Sequence, residues 1–456
     1  MGNRLPPGPH RLSLLGTLHQ LNRKPLQFIN DMAAYGDLSY VRIGPTRTYF
    51  VNHPAMIEEV LMGRYRDVVK DVATRSLRPL IGSGLLTSDG EPWRKHRRLA
   101  APPLQPKRIA SYVDTMVECT QRVAASFRDC EVREITVDMS RLTLDIVGKT
   151  LLGFDPRREA DRITTILDNT MHNFDLEMRT PLGMLPAHVM TPSRRKVREG
   201  RQELEAMLLR IIGRCRRGDP DASDHLLGRL VHARDEDGEA LSDRQLIDEA
   251  LTMLLAGHET TALALTYALY LLSEHPAALA KARAEVDQEL GQSSATLTHV
   301  PRLRYIDAII RETLRLYPPA YAIGREVVQP IELGGYEIPK RAQLFLSQCV
   351  VQRDPRWFRE PVAFKPERWL EPSISELPRF AYFPFGGGPR VCIGNHFAML
   401  EGTLALATLL QSVELQTVPG FVFDLEPSVT LRPKNGMRML VRRRRAASPA
   451  SVLSAA

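Results

Sequence analysis

The residues with the clearest chemical potential surround Cys392, in segment 385–394, which reads FGGGPRVCIG. Three consecutive glycines and a proline predict a tight bend whose backbone can approach a flat ligand closely. Gly394 then opens a predicted helix, so Cys392 lies near a helix N-terminus, where free amides and the positive end of the helix dipole stabilise a thiolate. Arg390 adds a cation two residues away. A lone cysteine is more often an inert core residue, but these neighbours favour a metal-ligating thiolate.

A polar patch interrupts a long apolar helix at 256–261, which reads AGHETT. Ala256 and Gly257 leave space beside the helix, and the neighbouring Glu259 and Thr260 offer an acid and an alcohol that could relay protons into an apolar pocket. The ordinary interpretation also stands, in which the Thr260 hydroxyl bonds to the carbonyl of Ala256 and only bends the helix. The two interpretations are compatible.

Two further pairs have helical spacing. Trp93 and Arg97 are four residues apart and share a helix face, although on spacing alone they indicate a solvated basic turn. Glu312 and Arg315 are three residues apart and, on spacing alone, indicate a surface ion pair worth a few tenths of a kcal/mol.

Together these segments resemble the cytochrome P450 superfamily, at the cysteine loop, the W-x-x-x-R helix, the E-x-x-R helix, segment 366–369 (PERW) and the 256–261 motif. The resemblance covers 5–434 and implies that Cys392 is the iron ligand of haem b. It implies further haem contacts by Trp93, Arg97, Ala256, Arg325, Phe385, Arg390 and Gly394. It also implies a buried structural triad of Glu312, Arg315 and Arg368, and catalytic roles for Glu259 and Thr260.

We expect a mainly α-helical cytochrome P450 fold with small peripheral β-sheets and a long central helix over the haem. Ser242 and Gln245 have capping-box spacing, and the helical pattern then continues to Glu274, before His275 and Pro276 stop it. Because almost every face is apolar, this helix should cross the protein centre. Segments 39–43 and 48–51 predict one hairpin, 331–338 a second and 429–441 a third.

The composition fits one large globular unit of 456 residues, of which 43% are apolar and 25% charged. We expect a single catalytic domain over 1–445 and a disordered tail over 446–456. The net charge of +8 is distributed, and its basic clusters lack interleaved aromatics, which argues against nucleic acid binding. The N-terminus has no apolar stretch of about 20 residues, so we expect no membrane anchor. Five widely spaced cysteines fit the cytoplasm, and we expect a monomer resembling soluble bacterial members.

The leading functional hypothesis is insertion of one oxygen atom from O2 into an apolar substrate such as a fatty acid, terpenoid or steroid. The resemblance implies substrate contacts by Leu85, Leu86, Ala320, Tyr321 and Thr430, with 174–185 over the pocket entrance. Electrons would come from a ferredoxin or flavodoxin with an NAD(P)H-dependent reductase, docked near Arg94, Lys95 and Arg98. The alternatives are a peroxide-driven hydroxylase, against which Glu259 and Thr260 argue, and a non-enzymatic haem sensor.

Overall fold

The computed structural model describes residues 5–9, 23–155, 160–180, 185, 189–219 and 225–444. The expected tail at 446–456 lies outside these residues. The α-helices are α1 (Pro25–Ala33), α2 (Pro54–Glu58), α3 (Val72–Ser76), α4 (Arg78–Ile81), α5 (Gly90–Ala100), α6 (Pro106–Ile109), α7 (Val113–Ser126), α8 (Ile135–Val147), α9 (Ala160–Arg179), α10 (Pro192–Arg216), α11 (Leu226–His232), α12 (Asp243–Glu274), α13 (Pro276–Glu289), α14 (Arg304–Leu316), α15 (Gln348–Val351) and α16 (Asn395–Ser412). The strands are β1 (Leu38–Ile43), β2 (Thr46–Val51), β3 (Val68–Lys70), β4 (Val132–Glu134), β5 (Ala322–Val327), β6 (Ile331–Leu333), β7 (Tyr336–Ile338), β8 (Gln343–Ser347), β9 (Val413–Thr417), β10 (Leu425–Pro427), β11 (Leu431–Pro433) and β12 (Arg438–Arg443).

Helix α12 is the 32-residue central helix that the sequence predicts. The Ser242 side chain accepts from the Gln245 amide, and the Gln245 side chain accepts from the Ser242 amide, so the capping box is complete. The helix ends at Glu274, before Pro276 begins α13. Helices α8, α10, α14 and α16 pack around α12, which explains why its side chains are apolar on nearly every face. Among the described helices, none combines the length and apolarity that a bilayer crossing needs.

The small sheets are peripheral, as expected: the largest has its own apolar core, and the β4-β12-β9 sheet packs on the helical body, where β9 contacts α12. The largest has the strand order β1-β2-β8-β5-β3. Its β1-β2 hairpin pairs Leu38 with Val51 and Ile43 with Thr46, and β6-β7 forms the second predicted hairpin. The fold class predicted from the sequence is therefore confirmed.

The third predicted hairpin is wrong. Strand β11 pairs with β10, whereas β12 pairs with β4 and β9, and only a single bridge between Lys434 and Gly436 joins the two halves of 429–441. Pro433 has no amide hydrogen to donate across such a hairpin. Met439 and Val441 of β12 are fully buried in the main core instead.

Candidate active site

The cysteine loop is a closed turn directly before α16. The Cys392 amide donates to the carbonyl oxygen of Phe385 at 2.9 Å, and the Val391 amide donates to that of Gly388 at 3.1 Å. Gly388 has φ +66°, and a Cβ there would lie 2.0 Å from the carbonyl oxygen of Leu61. Only glycine therefore fits this point of the loop. Gly394 caps α16, which places Cys392 just before a helix N-terminus.

Cys392 differs from the other cysteines in its surroundings. Cys119, Cys215 and Cys349 are buried, and Cys130 lies at the surface. The Cys392 residue is accessible, yet protein atoms crowd around its sulfur. Burial raises the pKa of the Cys392 thiol, while the Gly394 amide and the Arg97 charge act in the opposite direction. A metal cation bound to the sulfur would reverse this preference and keep the group as a thiolate.

Helix α5 brings an aromatic ring and a cation to the loop. The Arg97 Nη1 donates to the carbonyl oxygen of Val391 at 2.8 Å. The Arg390 guanidinium lies 4.6 Å from the centre of the Trp93 ring, and its Nη2 is 2.7 Å from an Asp89 carboxylate oxygen. Three residues that the sequence singles out, Trp93, Arg97 and Arg390, therefore meet beside Cys392.

Arg390 also belongs to a cluster of cations that includes Lys70, which the sequence analysis missed. Lys70 pairs with Arg325 across the β3-β5 ladder. Burial, followed by repulsion from Arg325 and Arg390, lowers the pKa of Lys70 to about 7. Burial and repulsion from Arg390 lower the pKa of Arg325 to about 10. Asp71 and Asp89 offset this repulsion only in part.

This cluster has the character of an anion site. Three cations converge with two nearby carboxylates, and the Arg390 Nε is buried with no hydrogen-bond partner among the described residues. A bound anionic group would restore the charge balance and satisfy that donor. Only the pairing of β3 with β5 brings Lys70 to Arg325, and no local pattern around Lys70 signals it.

The central helix presents an accessible patch at the predicted motif. Ala256 is exposed and Gly257 and Thr260 are half-buried, although most of α12 is buried. The Thr260 hydroxyl donates to the carbonyl oxygen of Ala256 at 2.6 Å, so the ordinary interpretation holds in this structure.

Glu259 has different partners from Thr260. Its Oε1 accepts from the Thr430 hydroxyl and from the Arg432 Nε at 2.6 Å, and it forms an ion pair with the Arg432 Nη2 at 2.5 Å. The carboxylate lines a cavity of about 180 Å³ together with His258, Asp168 and Arg432. Burial lowers the pKa of His258 to about 4, and its Nε2 lies 2.7 Å from the Ser140 hydroxyl. Sequence reasoning did not find Arg432 or Asp168.

The structure also brings Glu312, Arg315 and Arg368 together. Arg315 donates from Nε and Nη2 to the two Glu312 carboxylate oxygens, each at 2.8 Å, and the Arg368 Nε donates to Glu312 at 3.0 Å. Glu312 and Arg315 have no exposed side-chain surface. The Trp369 Nε1 donates to the same carboxylate at 2.9 Å, a contact that the sequence analysis did not predict.

Buried Gln352 joins this network to the cysteine loop. Its Nε2 donates to the carbonyl oxygen of Leu314 at 2.9 Å, and its Oε1 accepts from the Phe383 amide at 3.0 Å. Phe383 accepts in turn from the Gly386 amide at 2.9 Å, inside the loop that precedes Cys392. Three hydrogen bonds therefore connect α14, which carries Glu312 and Arg315, to the loop.

Comparison with known proteins identifies the family. The family described as Cytochrome P450 matches residues 6–438. The chain belongs to the cytochrome P450 family. Cyclooctatin synthase of Streptomyces melanosporofaciens is 34% identical over 427 residues, which cover 93% of this chain and 92% of that protein. Pentalenene oxygenase of Streptomyces avermitilis is 32% identical over 436 residues, covering 93% and 92%. The crystal structure of the cytochrome P450DA heme domain is 29% identical with a TM-score of 0.86, covering 97% of this chain and 98% of that one.

This P450 is thus an oxygen-incorporating oxidoreductase with a haem-thiolate cofactor. Its residues fit that cofactor, because an accessible cysteine in a closed loop lies beside unbalanced cations that suit the haem carboxylates.

The residues expected to contact the substrate have different surroundings in the structure. In this P450, Leu85 is buried and Leu86 half-buried between α4 and α5. Ala320 is exposed just before β5, and the Tyr321 hydroxyl donates to the carbonyl oxygen of Ser428 at 3.0 Å. Thr430 uses its hydroxyl to bind Glu259. The expected entrance segment lies partly outside the described residues, at 181–184 and 186–188.

The basic surface on α5 carries its own counter-charges. Arg94 pairs with Glu91 at 2.5 Å, and Arg98 pairs with Glu236 at 2.7 Å. The Lys95 Nζ lies 2.6 Å from Asp235 and 3.1 Å from Glu239. The surface expected to dock the electron donor is therefore a patch of ion pairs.

Proposed function

We propose that this P450 is a haem b monooxygenase that hydroxylates a cyclic terpenoid with electrons from separate proteins. The observation that carries the proposal is the accessible Cys392 beside the cluster of Lys70, Arg325 and Arg390, since this arrangement suits a dianionic cofactor bound through a thiolate.

Cys392 would hold the iron of this haem, and the haem carboxylates would lie against a set of nitrogen donors. The haem supplies an iron centre where O2 is reduced, and a thiolate ligand favours cleavage of the O–O bond. The donors are Lys70, Trp93, Arg97, Arg325 and Arg390. The carbonyl oxygen of Phe385 accepts a hydrogen bond from the Cys392 amide and so keeps the loop closed. Glu312, Arg315 and Arg368 would act from a distance by supporting that loop.

Thr260 and Glu259 would handle protons on two sides of the central helix. The Thr260 hydroxyl is a donor at rest to Ala256, and a χ1 rotation would redirect its proton into the pocket. The Glu259 carboxylate lines a cavity large enough for several waters. Its carboxylate would exchange protons with those waters, while Arg432 holds it in place.

Two relatives support the terpenoid substrate. They are named for cyclooctatin and for pentalenene, and each matches more than nine-tenths of this chain. Leu85 and Leu86 would contribute apolar surface for such a ring system, as the resemblance implies.

The electron donors would be a ferredoxin or flavodoxin and an NAD(P)H-dependent reductase. Lys95 and Asp235 are only 20% and 6% exposed, but the two arginine pairs on α5 are exposed, as Arg98 and Glu236 illustrate at 48% and 77%. Exposed pairs are worth at most about 1 kcal/mol, so an acidic partner can compete for these cations. All five cysteines are free, which supports the reducing cytoplasm as the compartment. We propose a single catalytic unit over 1–445 that acts as a monomer.

The test is turnover of pentalenene by the haem-loaded protein with a surrogate ferredoxin and reductase. Lauric acid and progesterone serve as the fatty acid and steroid comparisons. We expect a thiolate-type spectrum of the reduced carbon monoxide complex, a substrate-induced shift of haem absorption with pentalenene, and a hydroxylated product that depends on NAD(P)H.

Each part of the proposal can fail separately. Absence of the thiolate-type spectrum would contradict the ligand assignment. Turnover with hydrogen peroxide but not with NAD(P)H and redox proteins would identify a peroxide-driven hydroxylase. A spectral shift with lauric acid or progesterone but not with pentalenene would replace the terpenoid class.

A further inference from the structure

Asp248 is a buried carboxylate on the central helix, two turns before Ala256, that joins three segments of the chain. The residue is 4% exposed. Its Oδ1 accepts from the Arg201 Nη2 at 2.7 Å, and its Oδ2 accepts from the Ser83 amide at 2.8 Å. Arg201 lies on α10 and Ser83 follows α4, so one side chain ties both segments to α12.

Arg201 completes the connection from the other side. It is 7% exposed, and its Nη1 donates to the carbonyl oxygen of Arg78 at 3.0 Å while its Nε donates to Glu205 at 2.6 Å. The planar guanidinium thus serves three acceptors in different directions, which a lysine cannot do in the same geometry. We call Asp248, Arg201 and the Ser83 amide the clasp.

The loop after α4 lies directly against the central helix at the clasp. A Cβ on Gly82, which has φ +74°, would lie 1.9 Å from an Asp248 carboxylate oxygen. A Cβ on Gly84 would lie 2.4 Å from the Thr252 hydroxyl oxygen. These contacts leave no space for a side chain, so the backbone of 82–84 packs on α12 itself.

The same loop is closed internally. The Thr87 hydroxyl donates to the carbonyl oxygen of Gly82 at 2.6 Å, and the Arg78 Nη2 donates to the carbonyl oxygen of Thr87 at 3.0 Å. Leu85 and Leu86 lie inside the segment that these two bonds close. Their positions relative to the central helix therefore depend on the bonds at both ends of 82–87.

We propose that Asp248 is a positioning residue for substrate selection. The clasp holds two parts of the chain against the central helix: helix α10 and the loop that carries Leu85 and Leu86. The proposal rests on the proposed function, in which these leucines meet the substrate. Asp248 touches no reacting atom. It acts by limiting how far the loop and α10 can move when a ligand passes or binds.

The two carboxylate oxygens of Asp248 allow a graded test on the haem-loaded protein. Asp248→Asn keeps one acceptor but removes the charge, whereas Asp248→Ala removes both acceptors. Hydrogen exchange of peptides spanning 82–88 should rise in the order wild type, Asn variant, Ala variant. We expect at least about tenfold faster exchange in the Ala variant, the effect of losing one charge-assisted hydrogen bond. Arg201→Met should raise exchange in the same peptides.

A ligand readout separates positioning from general stability. We expect 4-phenylimidazole, monitored by haem absorption, to associate several-fold faster with Asp248→Ala, and the ratio of pentalenene products to change. The matched control is Arg244→Gln, because Arg244 is 61% exposed and its Nε is 3.4 Å from the same carboxylate. This variant should resemble the wild type in every readout. Peptides from α8 should exchange at the wild-type rate in all of these variants.

The inference is overturned if both Asp248 variants show wild-type exchange over 82–88 and a wild-type association rate. Exchange that rises equally in 82–88 and α8 would indicate general loss of stability and would also overturn it. Failure of the proposed function has a different signature, because the wild-type protein itself would then lack the thiolate-type spectrum or the terpenoid product.

Discussion

Replacement of Glu312 should damage both the fold and the haem site. Its two carboxylate oxygens accept five hydrogen bonds with no exposed surface. The Oε1 accepts from the Arg315 Nη2, the Lys365 amide and the Arg368 Nε at 2.8, 2.9 and 3.0 Å, and the Oε2 accepts from the Arg315 Nε and the Trp369 Nε1 at 2.8 and 2.9 Å. In Glu312→Gln, whichever oxygen becomes the amide NH2 will face at least two donors.

The expected cost follows from this geometry. Removing one partner of a buried, hydrogen-bonded ion pair costs about 3–5 kcal/mol. With an unfolding entropy of about 2.1 cal/mol/K per residue, 456 residues give roughly 1 kcal/mol/K, so Tm should fall by about 3–5 °C. The loss should also reach the cysteine loop, because Gln352 links α14 to Phe383.

Thermal unfolding and the reduced carbon monoxide spectrum of the haem-loaded variants measure the two effects. The matched control is Asp307→Asn on the same helix, because Asp307 pairs with Arg311 at 36% and 43% exposure and should cost under about 1 kcal/mol. If Glu312→Gln matched this control in Tm and kept the full thiolate-type spectrum, the network would not support the loop and the reasoning would be refuted.

Four further predictions concern five variants. Cys392→Ala should abolish the thiolate-type spectrum, and its persistence would overturn the ligand assignment. Thr260→Ala should keep haem and substrate binding yet yield about tenfold less product per NAD(P)H consumed, since proton-transfer groups contribute roughly 100-fold or more to rates. Glu259→Gln should mainly slow turnover, with a larger solvent isotope effect. A fully coupled Thr260→Ala enzyme would contradict the proton-transfer role of Thr260. The triple variant Arg94→Glu, Lys95→Glu and Arg98→Glu should be reduced more slowly by ferredoxin at low ionic strength, and an unchanged rate would place docking elsewhere. Burial lowers the pKa of His258 from 6.5 to about 4, so between these pH values the unfolded chain binds a proton that the folded chain does not, and folding stability is lost as pH falls. His258→Asn lacks this group and should lose up to about 3 kcal/mol less stability than the wild type over that range. Urea unfolding at about pH 7 and about pH 4.5 would check this, and equal losses would count against it.

Local patterns predicted those features that depend on neighbours along the chain. The capping box and apolar faces of α12 require only helical spacing, and the β1-β2 hairpin requires only two strands and a tight turn. The motif residues of the cysteine loop were likewise recognisable, because a closed turn before a helix needs specific residue types at fixed positions.

The missed residues are those whose partners lie far away in sequence. Lys70 becomes part of the cation cluster only through its pairing with Arg325. Arg432 meets Glu259 across 173 residues, and Trp369 meets Glu312 across 57. The failed hairpin at 429–441 has the same origin, since β12 prefers the distant β4 and β9 to its neighbour β11. Spacing gives the face that a residue occupies, but the tertiary partner decides what its side chain does there.

The different partners of Glu259 and Thr260 follow from helix geometry and have a mechanistic consequence. Adjacent residues of an α-helix point about 100° apart, so an acid and an alcohol at consecutive positions do not project into the same space. Here Thr260 bonds back to Ala256 on the accessible patch, whereas Glu259 lines a cavity with His258, Asp168 and Arg432. Polar side chains and room for water are therefore concentrated on the flank of Glu259. In the proposed relay, a proton that starts at Glu259 would cross part of the helix surface to reach the Thr260 hydroxyl. The proposed relay would in this way keep water near the acid and away from the alcohol.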